Sequence, residues 1–368
     1  MKKNIILIGS LPPPHHGSNI YFNSLLKSKI NESFNVYHLN TSDHRSLNNL
    51  SKLDIINVFI ALKNLIQLAF LINKTNPHII YLPHSVFFLP FIRDGLLILI
   101  AHYNSKAKIV THLHGGTYFK NKFYSSSNKL IRWFIHSTIS KVDVAIILGN
   151  NMKKVYNHFK INSCVIPNGT NLFLEPFRKR NHKSYITIGY VGNFSKNKGI
   201  LDVFDVMKII LSKNKKIRLE LCGEWRSDEL QNKKLINDII GNFSLDENVI
   251  FHGKLLNNDL KNFYKKIDIL LFPSYNEGLP MVIIEAMGAE CAVVSSKGIG
   301  AIDEVITDGS DGLLVEPGNT NQILEKLDIL INNVKYRKKI AINARKKYLN
   351  NYTLDRNVNL MYELFSKI

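Results

Sequence analysis

Short runs of β-branched and other apolar residues recur along the chain of 368 residues, each followed by a longer segment with helical spacing. Runs of this kind are typical of strands that are buried on both faces of a parallel sheet. In the first half they are Ile5–Ile8, Val36–Leu39, Ile79–Leu82, Ile109–Leu113, Val144–Leu148 and Cys164–Ile166. Because the connections are long enough for helical crossovers, the pattern predicts a doubly wound α/β sheet.

The same alternation begins again after a polar stretch, residues 171–184, which contains Pro176 and three consecutive basic residues. The second set of runs is Ile186–Val191, Arg218–Cys222, Val249–Phe251, Ile269–Phe272, Ala292–Ser295 and Gly312–Val315. The sequence therefore predicts two α/β domains with a linker between them. Ligands of such sheets bind at the carboxyl ends of the strands.

Charge is distributed unevenly between the two halves. The formal net charge is +19; residues 1–180 hold 22 Lys and Arg against 6 Asp and Glu, and residues 181–368 hold 26 against 23. This difference indicates that the halves meet different partners.

The three cysteines are far apart, which argues against a disulfide framework and for a reducing, cytoplasmic compartment. The apolar run at Ile5–Ile8 meets Gly9 and Pro12 too early for a signal peptide.

Two apolar segments are candidates for membrane spans. Val86–Ala101 has only 16 residues and contains Arg93 and Asp94, whereas a span needs about 20 apolar residues. Leu53–Ile72 is long enough, but polar residues recur in it at near-helical spacing. They are Asp54, Asn57, Lys63, Asn64 and Gln67. This spacing predicts an amphipathic helix packed on a core, in a soluble or peripheral protein.

The stretch Pro273–Met287 is the strongest candidate site. A predicted strand ends at its start, and a loop carrying Glu277 leads into a helix that is expected to begin with Pro280 in its first turn. An anion site is expected at this helix N-terminus, formed by Gly278, Leu279, Pro280 and Met281. Glu285 follows on the helix. Carboxylates beside an anion site suit a sugar and a ribose joined by a diphosphate; the alternative is a surface helix with charge near its N-terminus.

A second candidate is the glycine-containing stretch Gly189–Gly199, which also follows a strand and opens a helix. Lys198 is expected near the helix start, where its ammonium group can reach a phosphate. The stretch is neither a P-loop nor a dinucleotide-binding fingerprint, so it indicates neither ATP nor NAD.

In the first half, Gly17 and His114 lie in loops that follow predicted strands. Gly17 is expected to let backbone amides approach a ligand. The histidines His15, His16 and His112 are read as structural, because no carboxylate or cysteine accompanies them as a further metal ligand. No metal site is expected.

Taken together, these residues resemble the GT-B glycosyltransferases of family 4, which are retaining enzymes with nucleotide-sugar donors. Glu277 and Glu285 match the paired glutamates of that family within its Pro-Ser…Glu-Gly…Glu-Ala-Met setting. Further matches are Asn168-Gly169, Lys198-Gly199, Cys222-Gly223-Glu224, His252-Gly253, Glu304, Asp311-Gly312 and Pro317-Gly318. The resemblance covers nearly the whole chain and is strongest from Gly189 to Asn319.

The resemblance implies a GT-B fold, in which two Rossmann-like doubly wound domains face one another across a cleft. The expected domains are residues 1–175 on the acceptor side and residues 185–350 on the donor side. A C-terminal helix at about residues 352–368 is expected to pack back on the first. The implied activity is the transfer of a hexose-type sugar to a lipid-linked or polysaccharide-precursor acceptor in capsule or lipopolysaccharide synthesis.

The resemblance also implies residue roles. Glu285 is expected to hold the ribose of the donor, Glu277 the transferred sugar and Lys198 the diphosphate. His114 is expected to line the donor sugar from the other domain, with Gly17 near the phosphates. No protein nucleophile and no cofactor besides the donor are expected, because the leaving phosphate is thought to deprotonate the acceptor.

Two positions depart from the pattern of the family. Asn193 stands where an arginine is usual, which leaves Lys198 to carry the charge at the phosphates, with Lys196 as a less favoured candidate that is otherwise expected to be solvated. Gly17-Ser18 replaces a double glycine. Both departures concern the phosphate site.

The segment Tyr118–Lys141 predicts a basic helix that begins near Asn128 and is capped by one of the serines 125–127. Its predicted core side carries Ile131, Phe134, Ile135 and Thr138, and its other side Lys129, Arg132, Trp133 and His136. A basic face with tryptophan is typical of helices on membrane surfaces. We therefore expect docking of the first domain on the anionic inner leaflet; the alternative is a solvated basic face.

Three other functions remain open. A nucleic-acid binder is indicated only by charge, and the chain has no recognised nucleic-acid motif, so no nucleic-acid partner is expected. The Asn193 departure leaves room for a non-catalytic GT-B subunit that binds nucleotide. A sugar epimerase of the same fold is the least favoured alternative.

Overall fold

The computed structural model describes residues 2–13, 17–45, 54–175, 185–213, 216–226 and 228–368. Within these residues it contains two six-stranded sheets in which all the paired strands are parallel. The first comprises β1 (Asn4–Gly9), β2 (Asn35–Asn40), β3 (Ile79–Pro83), β4 (Lys108–His112), β5 (Val144–Ile147) and β6 (Asn162–Val165). The second comprises β7 (Ile186–Val191), β8 (Ile217–Cys222), β9 (Val249–Phe251), β10 (Ile269–Phe272), β11 (Ala292–Ser296) and β12 (Leu313–Val315). Each predicted run coincides with one strand, so the predicted α/β class is confirmed.

Helices occupy most of the connections between the strands, and three more follow the last strand. They are α1 (Gly17–Leu26), α2 (Ile30–Ser33), α3 (Ile55–Thr75), α4 (Phe88–Asn104), α5 (Lys129–Ile139), α6 (Ile200–Lys213), α7 (Leu230–Asn242), α8 (Asn257–Lys266), α9 (Met281–Gly288), α10 (Ile302–Val305), α11 (Thr320–Asn332), α12 (Val334–Asn351) and α13 (Leu354–Lys367). Short 3₁₀ turns lie at Asn150–Val155, Asn157–Phe159 and Lys196–Lys198, and a π-helical turn lies at Phe119–Tyr124.

Strand order locates the point in each sheet where ligands of doubly wound folds bind. The first sheet runs β2-β1-β3-β4-β5-β6, and the second runs β12-β11-β10-β7-β8-β9. In the second, the chain leaves β7 toward β8 on one side and later returns to β10 on the other. The carboxyl ends of β7 and β10 therefore flank the switch point, where the crevice for a ligand forms.

The chain divides into two compact units. The first unit contains residues 1–168 and 354–368, and the second contains residues 169–353. In the first, Met361 and Phe365 of α13 lie in the core with Ile5 and Tyr81. The chain changes unit between Asn168 and Gly169, before the predicted linker, of which residues 176–184 lie outside the described residues.

Helix α3 agrees only in part with the predicted amphipathic helix packed on a core. Asn64 is buried together with Leu68 and Ile72, whereas Phe59 and Phe70 are exposed. With 21 residues, α3 is long and apolar enough to cross a membrane by length and composition, and only 17% of its most apolar 18-residue window is buried. The difference arises because spacing shows which residues share a face, but not which face packs against the protein.

Helix α5 has the predicted faces but a different N-cap. The side chain of Asn128 itself accepts a hydrogen bond from the backbone N–H of Ile131 (3.0 Å). The hydroxyl of Ser127 instead donates to the carbonyl oxygen of Phe123 (2.7 Å), in the turn that precedes the helix. Ile135 and Thr138 are buried, and Lys129, Arg132, Trp133 and His136 are exposed, as predicted.

Candidate active site

The loops that follow β7 and β10 pack closely at the switch point of the second unit. Gly199 ends the turn after β7 with φ +74°, and a Cβ at this position would stand 2.1 Å from the carbonyl oxygen of Pro273. Only glycine combines this backbone conformation with such a close approach. The contact holds the loop that carries Lys198 against the loop that carries Glu277.

Hydrogen bonds to one carbonyl group join the same two loops. The carbonyl oxygen of Asn197 accepts from the backbone N–H of Tyr275 (3.0 Å) and from the hydroxyl of Ser274 (3.2 Å). Ser274 is fully buried, so these bonds are shielded from water. The relative position of the two loops is therefore fixed by the fold, without a ligand.

Lys198 and Glu277, which are far apart in the sequence, form an ion pair. The Nζ of Lys198 lies 2.6 Å from the Oε1 of Glu277, which also accepts from the Oγ of Ser274 (2.9 Å). The side chain of Lys198 is 32% exposed and that of Glu277 is 10% exposed. The structure thus brings together the residues expected to hold the diphosphate and the transferred sugar. Ser274 was missed as a contributor because its role depends on this contact.

The N-terminus of α9 follows directly after this pair. Pro280 occupies the N-cap position, with ψ 115°, and not the first helical turn as predicted. Its ring has no N–H to donate, and α9 begins at Met281. The first amides of a helix have no intrahelical acceptor and favour an anion. Gly278 and Leu279 lie buried at this helix start, and the carbonyl oxygen of Gly278 accepts from the backbone N–H of Ala301 (2.8 Å).

Glu285 lies on α9, where the phenol of Tyr264 from α8 donates a hydrogen bond to its Oε2 (2.8 Å). Burial raises the pKa of Glu285 to about 7, and the Tyr264 hydrogen bond opposes the rise. The hydrogen bond thus holds the carboxyl group in a fixed orientation. With a pKa of about 7, the group changes between its protonated and ionised forms near neutral pH. Nothing in the sequence indicated Tyr264, because the partnership arises only when α8 packs beside α9.

Asn193, which stands where an arginine was expected at the phosphates, lies exposed in the loop after β7. The Tyr190 phenol donates to the Asn193 carbonyl oxygen (3.1 Å) and thereby orients the loop backbone.

Two other residues that carried the resemblance contact charged side chains within the second unit. His252 contacts Glu220 (3.0 Å), and Asp311 contacts Lys347 (3.2 Å).

In the first unit, His114 follows β4 and stacks on His112 with ring centroids 4.1 Å apart. His112 is fully buried beside the phenol of Tyr81 (2.8 Å), and burial lowers its pKa well below the usual value. His112 is therefore a neutral packing residue beneath His114, in line with a structural role. Tyr21 contacts both imidazole rings edge-on.

Gly17 is the first residue of α1, and no atom of the described residues lies within 4 Å of the place where a Cβ would stand. Packing therefore does not require glycine there, which leaves open space beside the backbone. His15 and His16 lie outside the described residues. Over the residues that the structure describes, no three His, Cys, Asp or Glu side chains gather as a group that could hold a metal ion.

Comparison with known proteins gives a family for the segment that carries the site. Residues 173–347 match the sequence model of the family described as "Glycosyl transferases group 1". The capsular polysaccharide biosynthesis glycosyltransferase CapM of Staphylococcus aureus is 32% identical over 200 residues, which are 54% of this chain and 50% of CapM. The chain spans about half the length of the curated relatives that it matches.

Solved structures resemble the whole chain at low sequence identity. Sucrose-phosphate synthase from Thermosynechococcus elongatus has a TM-score of 0.78 at 17% identity, covering 100% of this chain and 99% of that one. Anabaena HepE, solved with UDP and glucose, has a TM-score of 0.73 at 16% identity, covering both chains fully. The fold is GT-B, and the segment 173–347, which carries the Lys198–Glu277 pair and Glu285, matches the group 1 glycosyltransferases.

Proposed function

We propose that the chain is a retaining glycosyltransferase of family 4, which moves a hexose-type sugar from a nucleotide-sugar donor to a hydroxyl of a lipid-linked or polysaccharide-precursor acceptor. The observation that carries this proposal is the Lys198–Glu277 ion pair at the N-terminus of α9, with Glu285 about one turn along the same helix. A cation, a helix N-terminus and two carboxylates match a diphosphate flanked by two sugars. CapM supports a place in capsule or other cell-surface glycan synthesis.

In the proposed reaction, the bond between the anomeric carbon and the phosphate oxygen breaks, and the nucleoside diphosphate leaves with its electron pair. The acceptor oxygen bonds to the anomeric carbon on the same face, and the acceptor proton passes to the leaving phosphate. Lys198 and the first amides of α9 stabilise the charge that develops on the diphosphate. The protein groups supply this positive charge themselves, so the proposal includes no metal and no further cofactor.

Glu285 accepts hydrogen bonds from the ribose hydroxyls, and Glu277 orients the transferred sugar once the diphosphate engages Lys198. His114 of the first unit lines the donor sugar, and the open space at Gly17 receives the phosphates. All three cysteines are free thiols, which supports a reducing, cytoplasmic location.

Ligand-observed NMR with UDP-, GDP-, dTDP- and CMP-sugars tests the donor site. We expect one class to bind, and the Glu285→Ala variant to lose that binding. Lys196→Ala is the matched control, because Lys196 is an exposed lysine of the same loop outside the ion pair. The anomeric configuration of the product, read by NMR, tests retention. Binding of no donor class would refute the proposal, and binding without turnover would favour a non-catalytic subunit.

A further inference from the structure

Three crossover helices of the first unit form one layer beside its sheet. Right-handed connections from β2 to β3, β3 to β4 and β4 to β5 place α3, α4 and α5 on the same side. Helix α3 packs on α4, and α4 packs on α5. The α4–α5 contact is close, because a Cβ at Gly95 would stand 2.9 Å from the ring of Phe134.

The outward side of α3 is a continuous apolar stripe, which we call the apolar face. It consists of Ile55, Phe59, Leu62, Ile66 and Phe70, which are 89%, 68%, 54%, 71% and 64% exposed. Their spacing of three and four residues puts them on one side of the helix. The opposite side, toward the protein, buries the polar side chain of Asn64, whose amide nitrogen has no hydrogen-bond partner among the described residues. A soluble helix has the reverse arrangement.

The neighbouring helices α4 and α5 also carry exposed apolar side chains. Phe88 and Tyr103, at the two ends of α4, are exposed, as are Leu130 (78%) and Trp133 (69%) of α5. Exposed apolar surface of this extent marks an interaction site. Tryptophan and tyrosine at its margin are typical of a surface that meets the headgroup region of a lipid bilayer.

The charges around the apolar face are mostly positive, and the acidic exception, Asp54 at the N-cap of α3, is ion-paired with Arg45 (3.1 Å). Lys63 and Lys74 of α3, Lys106 after α4, and Lys129 and Arg132 of α5 are exposed. Asp94 is the single acidic residue within α3, α4 and α5, and it is buried and paired with Arg93. The first unit as a whole holds 21 Lys and Arg against 7 Asp and Glu. The partner of this surface is therefore anionic.

We infer that the apolar face lies in the interfacial zone of an anionic lipid bilayer, with α3 parallel to the membrane surface. A second copy of the chain would bring like charges together, which disfavours a dimer through this face. A spanning orientation would draw α3 away from β2 and β3, both of which pair with β1 in one sheet. An in-plane helix satisfies both constraints, because it inserts its apolar side chains while its basic neighbours meet the phosphates.

A groove of about 680 Å³ runs between α3 and the edge strand β2. It is lined by Ile66 and Phe70 of the apolar face and by Lys63, His38 and Asn40. The groove thus places apolar side chains next to a cation and to hydrogen-bonding groups. The cation and the hydrogen-bonding groups suit the phosphate and headgroup of a phospholipid, and the apolar side chains suit the start of its acyl chains. The groove lies within the first unit, so the inference does not depend on the donor site of the second unit.

Vesicle co-sedimentation of the full chain tests the inference, using phosphatidylcholine vesicles with and without phosphatidylglycerol. We expect the wild type to prefer the anionic vesicles. The triple variant Phe59→Gln, Ile66→Gln, Phe70→Gln is expected to lose at least about tenfold in vesicle affinity. Lys129→Gln with Arg132→Gln is expected to lose about fivefold per residue on anionic vesicles only.

The matched control is the triple variant Leu230→Gln, Leu235→Gln, Phe243→Gln at α7 of the second unit, where the side chains are also exposed. It is expected to bind vesicles like the wild type. A far-UV circular dichroism spectrum and a thermal midpoint like those of the wild type would show that the α3 variant is folded. Wild-type affinity in the α3 variant, or no vesicle binding by the wild type, would overturn the inference. Loss of a wild-type dimer in the α3 variant without loss of vesicle binding would assign the face to a second copy.

Discussion

The two units are built on the same kind of six-stranded parallel sheet but carry opposite kinds of surface. In the second unit, polar and charged side chains are gathered inward, between the loops that follow β7 and β10. In the first unit, helix α3 turns apolar side chains outward and buries Asn64. The comparison teaches that one architecture can gather polar groups at its loops and turn apolar groups outward on its crossover helices. The two proposals assign the first arrangement to the donor and the second to a lipid bilayer, and they predict that the two functions are separate.

The largest expected effect tests that separation at Lys198. Replacement by alanine removes the cation that stabilises the leaving diphosphate, so kcat/KM is expected to fall about 10²- to 10³-fold. Steady-state kinetics measures the loss, with Lys196→Ala as the control. Vesicle binding is expected to stay unchanged, and a parallel loss of it would mean that the two surfaces are coupled.

Two glycines provide a matched pair across the units. Gly199→Ala forces a Cβ toward the Pro273 carbonyl at φ +74°, and is expected to lower the free energy of unfolding by about 3 kcal/mol. Gly17→Ala meets open space and is expected to change it by less than about 0.5 kcal/mol. Urea denaturation measures both; equal effects would contradict the close packing of the two site loops.

The pKa of Glu285 gives a pH-dependent prediction. Burial raises this pKa from 4.5 to about 7, so the folded chain holds the proton more tightly than the unfolded chain. The carboxylate charge therefore costs stability increasingly as the pH rises from 4.5 to about 7, and fully above that. Glu285→Gln is expected to stabilise the chain by about 3 kcal/mol at about pH 8 and little at about pH 4.

Thermal denaturation of this variant at the two pH values, with Glu325→Gln on exposed α11 as the control, checks the sign. A larger stabilisation at the lower pH would contradict it. Because the ionised carboxylate is the better acceptor for ribose hydroxyls, donor affinity of the wild type is expected to fall as the pH drops below about 7.

The smallest expected effect concerns Ser274. Alanine at this position removes the hydroxyl that donates to Glu277 and to the Asn197 carbonyl, at a cost of about 1 kcal/mol, or about fivefold in kcat/KM. Ser127→Ala, which removes a hydroxyl from the first unit, is the control for activity. An unchanged kcat/KM in Ser274→Ala would show that Lys198 alone positions Glu277.

The sequence by itself determined the elements of the fold and several components of the site. Apolar runs bounded by turn residues predicted twelve strands, because burial on both faces of a parallel strand leaves a local signal. The placement of Glu277, Lys198 and Glu285 just after such runs predicted loops and helix starts at the carboxyl ends of strands. These features depend on residues close together in the chain.

Only the tertiary structure decided which groups meet. The pairing of β7 with β10 brings Lys198 within 2.6 Å of Glu277, and the packing of α8 beside α9 gives Glu285 its Tyr264 partner. The orientation of α3 was likewise decided by packing. Its spacing allows either face to point inward, and the contact with α4 leaves its phenylalanines exposed. The periodicity of a sequence determines which residues share one face of a helix or strand. Contacts between segments far apart in the chain determine whether that face meets the protein core or solvent.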